Sequence, residues 1–317
     1  MNIVNVILGI VVPCYNEENV LPSTTESLIK ILIELIENGD ISKDSFILFV
    51  DDGSTDETWR IIEKYHKIDI HMKGIKLAAN VGHQKALLAG LMEAKNKTDC
   101  IISIDADLQD DTSIIVDMVN QYKMGNEIVY GVRHSRRYDG FLKKSTALLF
   151  YKLLIFMGVK IVYNHADYRL VGRRALDELS NYRERNLFLR GIFPSMGYQT
   201  SHVLYNRLPR LAGETKYSFK KMLSLAWDGI TSFSTVPLKI ISVMGLILFL
   251  FCTLMAILIF GAKIFGHTVP GWASTTLPLY FLGGIQLLAI GIVGEYLGKI
   301  YIEVKSRPNY IIDKVLE

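Results

Sequence analysis

Residues 100–109 read Cys-Ile-Ile-Ser-Ile-Asp-Ala-Asp-Leu-Gln, an apolar run that ends in two carboxylates one residue apart. A short β-branched run stopped by acids reads as a buried strand whose carboxyl end opens on a polar cavity. The same grammar recurs twice. Residues 7–12 lead into Pro-Cys-Tyr-Asn-Glu-Glu at 13–18, and 46–50 lead into Asp-Asp-Gly-Ser-Thr-Asp at 51–56. Strands are also predicted at 75–77 and 128–131. Between them, 20–37, 56–66, 84–95 and 114–123 carry apolar residues at helical spacing, as at Leu28, Ile31, Leu32 and Leu35. Strands alternating with helices predict an α/β domain, a Rossmann-like, mostly parallel sheet covered on both faces. Such sheets bind ligands at the carboxyl ends of their strands, where all three acidic clusters fall.

Each cluster has a bland reading beside the functional one. Asp110, Asp111 and Thr112 are capping residues for the helix at 114, and Thr55 or Asp56 for the helix at 56. Capping does not account for Asp105 and Asp107, which with the Gln109 carbonyl form an all-oxygen set suited to Mg²⁺ or Mn²⁺ bridging a diphosphate. Nor does it account for Asp51 and Asp52, set directly against an apolar strand, where a carboxylate needs a partner such as a nucleoside. His83, alone at a helix start, reads as structural. Two or three of the arginines at 133, 136, 137, 169, 173, 174, 183, 185 and 190 are expected to converge on an anionic substrate.

The chain has 317 residues, 50% hydrophobic and 21% charged, with a formal net charge of +3. That balance is too mild for a nucleic-acid partner. Three cysteines without a CxxC pair give neither a disulfide framework nor a zinc site, and point to a reducing compartment. The mean hydropathy of +0.25 arises late in the chain, from two apolar runs at 240–260 and 277–297 without Lys, Arg or Asp. Each matches the ~20 residues needed to span a bilayer. Lys216, Lys220, Lys221 and Lys239 precede the pair, and Lys299, Lys305, Arg307 and Lys314 follow it. The connection at 261–275 has only Lys263 and His267, so the positive-inside rule places both chain ends in the cytoplasm. The first apolar run lacks a basic lead and reads as a strand, not a signal peptide. Gly291, Gly294 and Gly298 suit close helix packing, either between the two spans or between subunits of a homo-oligomer. A shorter, Lys-flanked segment at about 141–159 is predicted as an interfacial helix. The expected division is a catalytic domain at 1–210, a juxtamembrane segment at 211–238, a transmembrane hairpin at 239–298 and a cytoplasmic tail at 299–317.

Val-Val-Pro-Cys-Tyr-Asn-Glu-Glu at 11–18, the acids at 51–56 and Asp-Ala-Asp-Leu-Gln at 105–109 occur in an order that resembles the family 2 glycosyltransferases of GT-A fold. The likeness sharpens toward the polyprenyl-phosphate glycosyltransferases, which include the dolichol-phosphate mannose synthases and bactoprenol glucosyltransferases. It is carried further by 80–86, 131–133, 166–170, 188–191, 213–218 and 294–298. The resemblance implies transfer of a hexose, glucose first, from a UDP-sugar to the phosphate of a membrane polyprenol such as undecaprenol, at the cytoplasmic face of the inner membrane. It further implies that Pro13, Tyr15, Glu17, Asp52 and Ala106 hold the nucleotide, and Asp105, Asp107 and Gln109 a Mg²⁺ or Mn²⁺ ion. Arg133, Lys143, Arg169, Arg190 and Lys216 would meet the diphosphate or lipid phosphate, and Asp167 matches a site carboxylate sometimes assigned as a base. Asp110-Asp111-Thr112 departs from the relatives' pattern only at a helix start.

Absent motifs remove other classes: there is no GxGxxG after the first strand, no Walker A sequence and no Gly-x-Ser-x-Gly elbow. A processive polysaccharide synthase would carry Gln-x-x-Arg-Trp, and Trp59, Trp227 and Trp272 lack that context. A non-catalytic membrane assembly or transport subunit would not need intact Asp52, Asp105 and Asp107.

Overall fold

A computed structural model describes residues 5–134, 165–182, 184–185, 188–206, 231, 234–264 and 271–317. The interfacial helix expected at 141–159, and with it Lys143 and Lys216, lies outside the described residues.

Among the described residues, seven strands precede the apolar helices: β1 (Leu8–Cys14), β2 (Phe46–Asp51), β3 (Met72–Leu77), β4 (Cys100–Ser103), β5 (Ile128–Arg133), β6 (His165–Gly172) and β7 (Thr200–Tyr205). An eighth, β8 (Ile312–Leu316), follows them, and the sheet order is β7-β5-β6-β4-β1-β2-β3-β8. Neighbours run parallel except at β6, antiparallel to both β4 and β5, and at β8, antiparallel to β3. Central β1 is buried at all seven positions, as a parallel strand covered on both faces must be.

Alternation along the strands divides the core in two. Ile10, Val12 and Phe49 pack with α1 (Leu21–Glu37), α2 (Thr58–Ile68) and α4 (Ile115–Lys123), while Val11 and Val50 pack with α3 (His83–Ala94), α5 (Arg173–Leu179) and α6 (Leu189–Ser195). The helix-period residues Leu28, Leu32 and Leu35 of α1 are essentially without exposure, each contributing about 1.5–3 kcal/mol of apolar burial. Helix α3 lies so close to the sheet that a Cβ on Gly90 would stand 2.4 Å from Val11 Cγ1 and 2.7 Å from Val50 Cγ2.

Two long helices follow, α7 (Val236–Ile264) and α8 (Trp272–Lys305). Their stretches Val236–Met255 and Phe281–Lys305 have mean hydropathies of 2.4 and 1.5, are not buried within the chain, and are long and apolar enough to cross a membrane. Both helices outrun the apolar stretches read from the sequence. Within the segment expected as a cytoplasmic tail, residues 312–316 return to the sheet as β8, pairing with the edge of β3.

Overpacking at Gly90 outweighs the better helix propensity of alanine, so Gly90→Ala should lower stability by about 1–3 kcal/mol. Thermal unfolding of purified protein measures it, and an unchanged midpoint would contradict the close α3–sheet packing.

Candidate active site

Strand register brings the acidic clusters to one edge of the sheet. Cys14 pairs with Asp51 and Val11 with Ser103, so Tyr15, Asp52 and Asp105 follow at the same carboxyl end. The loops after β1 and β2 clasp each other. Asn16 N–H donates to Ser54 Oγ at 3.0 Å, Thr55 N–H to Asn16 Oδ1 at 2.9 Å, and Glu17 N–H to Thr58 Oγ1 at 2.9 Å. Pro13 lies within β1, Tyr15 remains 40% exposed at the rim, and the Ala106 carbonyl accepts from Thr24 Oγ1 at 2.6 Å. Asp51 is fully buried, and burial raises its pKa against the opposing hydrogen bonds from Ser54. Its Oδ1 accepts the Ser54 amide at 3.1 Å, while Oδ2 has no hydrogen-bond partner within the described residues.

Asp52 has the partner that its position demanded, and that partner belongs to the chain. Its two oxygens accept the Val81 and Gly82 amides at 2.8 and 3.0 Å. The approach depends on Gly53, at φ 66°, where a Cβ would stand 2.7 Å from the Ala79–Asn80 backbone. Gly82, at φ 92°, then turns the chain into α3 with His83 as its first residue. Asp52 therefore holds the loop that presents His83.

Antiparallel pairing of Ser103 with Arg169, extended by two residues, sets Asp105 across from Asp167. Ser103 Oγ donates to the Asp167 carbonyl at 2.5 Å. Three cations surround the Asp167 carboxylate. Arg169 pairs with Oδ1, Arg190 reaches both oxygens with Nε at 3.2 Å and Nη2 at 2.9 Å, and His83 Nε2 lies 3.6 Å from Oδ2. Burial alone would raise the pKa of Asp167, but Arg190, His83 and Arg169 together hold it well below the usual carboxylate range. Asp105 behaves oppositely: burial, opposed by His83 and reinforced by Asp110, Asp167 and Asp107, pushes it up to about 6. His83 Nε2 also stands 3.6 Å from Asp105 Oδ1. Burial disfavours the imidazolium, but the Asp167 hydrogen bond and the Asp105 charge prevail and raise its pKa to about 9.

Arg169, expected at a phosphate, has no exposure at all. Its guanidinium is taken up by Asp167 and the Leu189 carbonyl and lies 4.9 Å from the Phe193 ring centroid, so it supports the site from behind. Arg133 is held by Tyr205 Oη at 3.2 Å and by buried Asp110 at 3.4 Å, and Asp110 also accepts from Tyr205 Oη at 2.5 Å. Asp110 thus anchors an arginine, and Asp111 supplies the cap, accepting the Ser113 amide at 2.9 Å. Leu108 adopts φ 51°, turning the loop so that the Gln109 amide donates to Asp107 Oδ1 at 3.2 Å. Asp105 and Asp107 are hard oxygen donors one residue apart at the carboxyl end of β4, and a donor set of this kind fits a divalent cation. Among the described residues no three His, Cys, Asp or Glu side chains form a ready-made metal cluster.

Comparison with known proteins shows the family. The Glycosyl transferase family 2 profile matches residues 9–180. The chain is 54% identical over 307 residues to the uncharacterized glycosyltransferase YkoT of Bacillus subtilis, covering 97% of this chain and 91% of that one. It is 38% identical over 310 residues to the prophage bactoprenol glucosyl transferase homolog of Escherichia coli, covering 97% and 99%. It is 39% identical over 312 residues to the SfII prophage-derived bactoprenol glucosyl transferase of Shigella flexneri, covering 97% of each.

The two acids should separate in stability measurements on metal-free protein. Asp167→Asn leaves Arg169 buried without its counter-ion and should cost about 3–5 kcal/mol. The folded pKa of Asp167 is depressed, so its contribution is present above the ordinary carboxylate range and is lost as pH falls below it. The folded pKa of Asp105 is raised, so ionising it costs stability as pH rises from about 4 through about 6. Asp105→Asn should therefore raise the unfolding midpoint at pH 7.5, with the gain vanishing near pH 4. Equal destabilisation by both substitutions would contradict this assignment.

Proposed function

The chain belongs to the family 2 glycosyltransferases and has their GT-A sheet, and on that premise we propose that it transfers a hexose, glucose first, from a UDP-sugar to undecaprenyl phosphate or a similar polyprenyl phosphate. The observation that carries the reading is the meeting of Asp105 with the Asp167–Arg190–His83 cluster in a chain that also bears two long, uncovered apolar helices. A soluble anionic donor and a lipid-borne acceptor require both features together.

In this reading the catalytic domain occupies 1–210 and residues 211–238 lead to a membrane hairpin at 239–298, with β8 returned to the sheet. Both chain ends and the site face the cytoplasm, and 141–159 lies at the interface. Asp105, Asp107 and Gln109 would hold Mg²⁺ or Mn²⁺, which when bound supplies positive charge beside the donor diphosphate. Pro13, Tyr15, Glu17 and Ala106 line the nucleotide side. Asp52 acts through the 81–82 loop. Arg190 and Arg133, with Lys143 and Lys216, provide cationic charge for the leaving diphosphate or the incoming lipid phosphate.

The acceptor is a phosphate monoester with a second pKa of about 6, already mostly dianionic at neutral pH. It needs no general base, and Asp167, saturated by two guanidiniums and an imidazole, is not one. The acceptor oxygen therefore attacks the anomeric carbon directly, the bond to the diphosphate breaks, and Arg190 steadies the developing charge.

Membranes containing the protein, given labelled UDP-glucose and undecaprenyl phosphate, should form a labelled glycolipid, and Asp105→Asn or EDTA should abolish it. Labelling with a different nucleotide sugar alone would change the donor, and no glycolipid from any donor would overturn the reading.

Topology is tested separately. A cysteine replacing Ser274 should react with an impermeant thiol reagent on intact cells, and one replacing Ser306 should not. The reverse pattern would place the nucleotide site outside and contradict the proposal.

A further inference from the structure

Helix α8 does not end free of the catalytic domain. Glu303, in its last turn, accepts the backbone N–H of Arg185 on both carboxylate oxygens, at 2.8 and 2.9 Å, across 118 residues of sequence. Ser306 reverses the chain at φ 47°, and Asn309 Nδ2 donates to the Glu184 carbonyl at 3.4 Å. The Ala78 amide then donates to the Ile311 carbonyl at 2.9 Å, β8 runs along β3, and Lys97 closes on Glu317 at 2.9 Å. The exit of α8 is thus fastened to two places, the edge of the sheet and the backbone at 184–185.

The second attachment leads directly into the site. From Arg185 the chain reaches buried Phe188 and enters α6, where the Leu189 amide donates to Gln84 Oε1 at 3.0 Å and the Leu189 carbonyl receives Arg169. The next residue is Arg190, with two hydrogen bonds to Asp167. A half-buried carboxylate accepting a backbone amide makes a charge-assisted bond, stronger than an ordinary surface contact. Half-buried Glu184 lies close enough that burial and the Glu303 charge raise its pKa.

We infer that Glu303 is a positioning residue of the transferase site, holding the 184–185 backbone so that α6 keeps Arg190 on Asp167 and the pose of the apolar helix is communicated to the catalytic pocket. At about 1.5 Å per residue, the run at 277–297 spans about 32 Å, enough for a ~30 Å hydrocarbon core, and Glu303 lies about 9 Å past its end on the same helix. The chain therefore has one rigid element that both sits in the apolar phase and touches the segment bearing a substrate-facing arginine.

The test compares Glu303→Ala, which removes the acceptor, with Glu303→Gln, whose side-chain carbonyl retains one. Two readouts are used on the full chain in lipid nanodiscs. In Glu303→Ala, amide hydrogen exchange over 188–195 should accelerate at least tenfold while that of β1 stays fixed. Turnover should fall about tenfold, the effect of losing one such hydrogen bond, with the KM for the nucleotide sugar unchanged. Glu303→Gln should keep both near wild type, and Glu303→Ala should add nothing in an Arg190→Ala background. The kinetic arm rests on the transferase reading and the exchange arm does not. Unchanged exchange over 188–195 in Glu303→Ala overturns the coupling whatever the substrate, as does an equal loss in Ala and Gln variants. A wild-type chain without transfer but with the expected exchange response overturns the functional reading alone and supports the coupling.

Discussion

A guanidinium with no exposure to water cannot be left without a counter-charge, and Arg169 is such a group. Asp167, two residues away on the same strand, meets that need, and the remaining structure of the site is arranged around the pair. The antiparallel insertion of β6 between β4 and β5 carries both residues into the sheet centre and sets Asp167 opposite Asp105. Arg190 and His83 complete the ring of cations on the carboxylate, each delivered by a different helix. Phe193 lies against the outer side of the Arg169 guanidinium.

The same constraint divides labour between two acids that a sequence shows as equals. Asp167 is tied to permanent positive charge and remains ionised, whereas burial, opposed by His83 and reinforced by neighbouring carboxylates, raises the pKa of Asp105. Groups whose environments push their pKa values in opposite directions have different tasks. The strongly ionised acid organises arginines, and in the proposed reaction the other is the one left to meet the metal and donor. That division suits an acceptor that arrives already deprotonated, because no side chain has to remove a proton from it.

Most of the sheet was legible because each parallel strand is a short apolar run that ends in acids, and burial on both faces leaves no other reading for 7–12, 46–50 and 100–104. Strand β6 and strand β7 were not, since β7 alternates between exposed and half-buried positions and β6 presents Arg and Asp that become tolerable only when paired. The carboxylates of 105 and 107 were found from their place after a strand. The hold of Asp52 on the amide pair of Val81 and Gly82 was not legible, because backbone amides leave no sequence signature. His83 looked structural as an isolated histidine; Gly82 immediately before it, with Asp52 thirty residues earlier, was the signal that the loop is held in place. Arg169 could not be told from the surface arginines by residue type, and the return of 312–316 to the sheet depends on an edge that only the assembled fold displays.

If Asp167 is a counter-ion and the acceptor phosphate attacks unaided, the sugar is displaced once and its anomeric configuration inverts. Proton and phosphorus NMR of the purified glycolipid made from α-linked UDP-glucose reads this directly. The structure predicts a β-glucosyl phosphodiester as the sole product. An α-linked product would require retention, through an enzyme-bound sugar or by front-face attack, and would contradict the single in-line displacement by the acceptor phosphate.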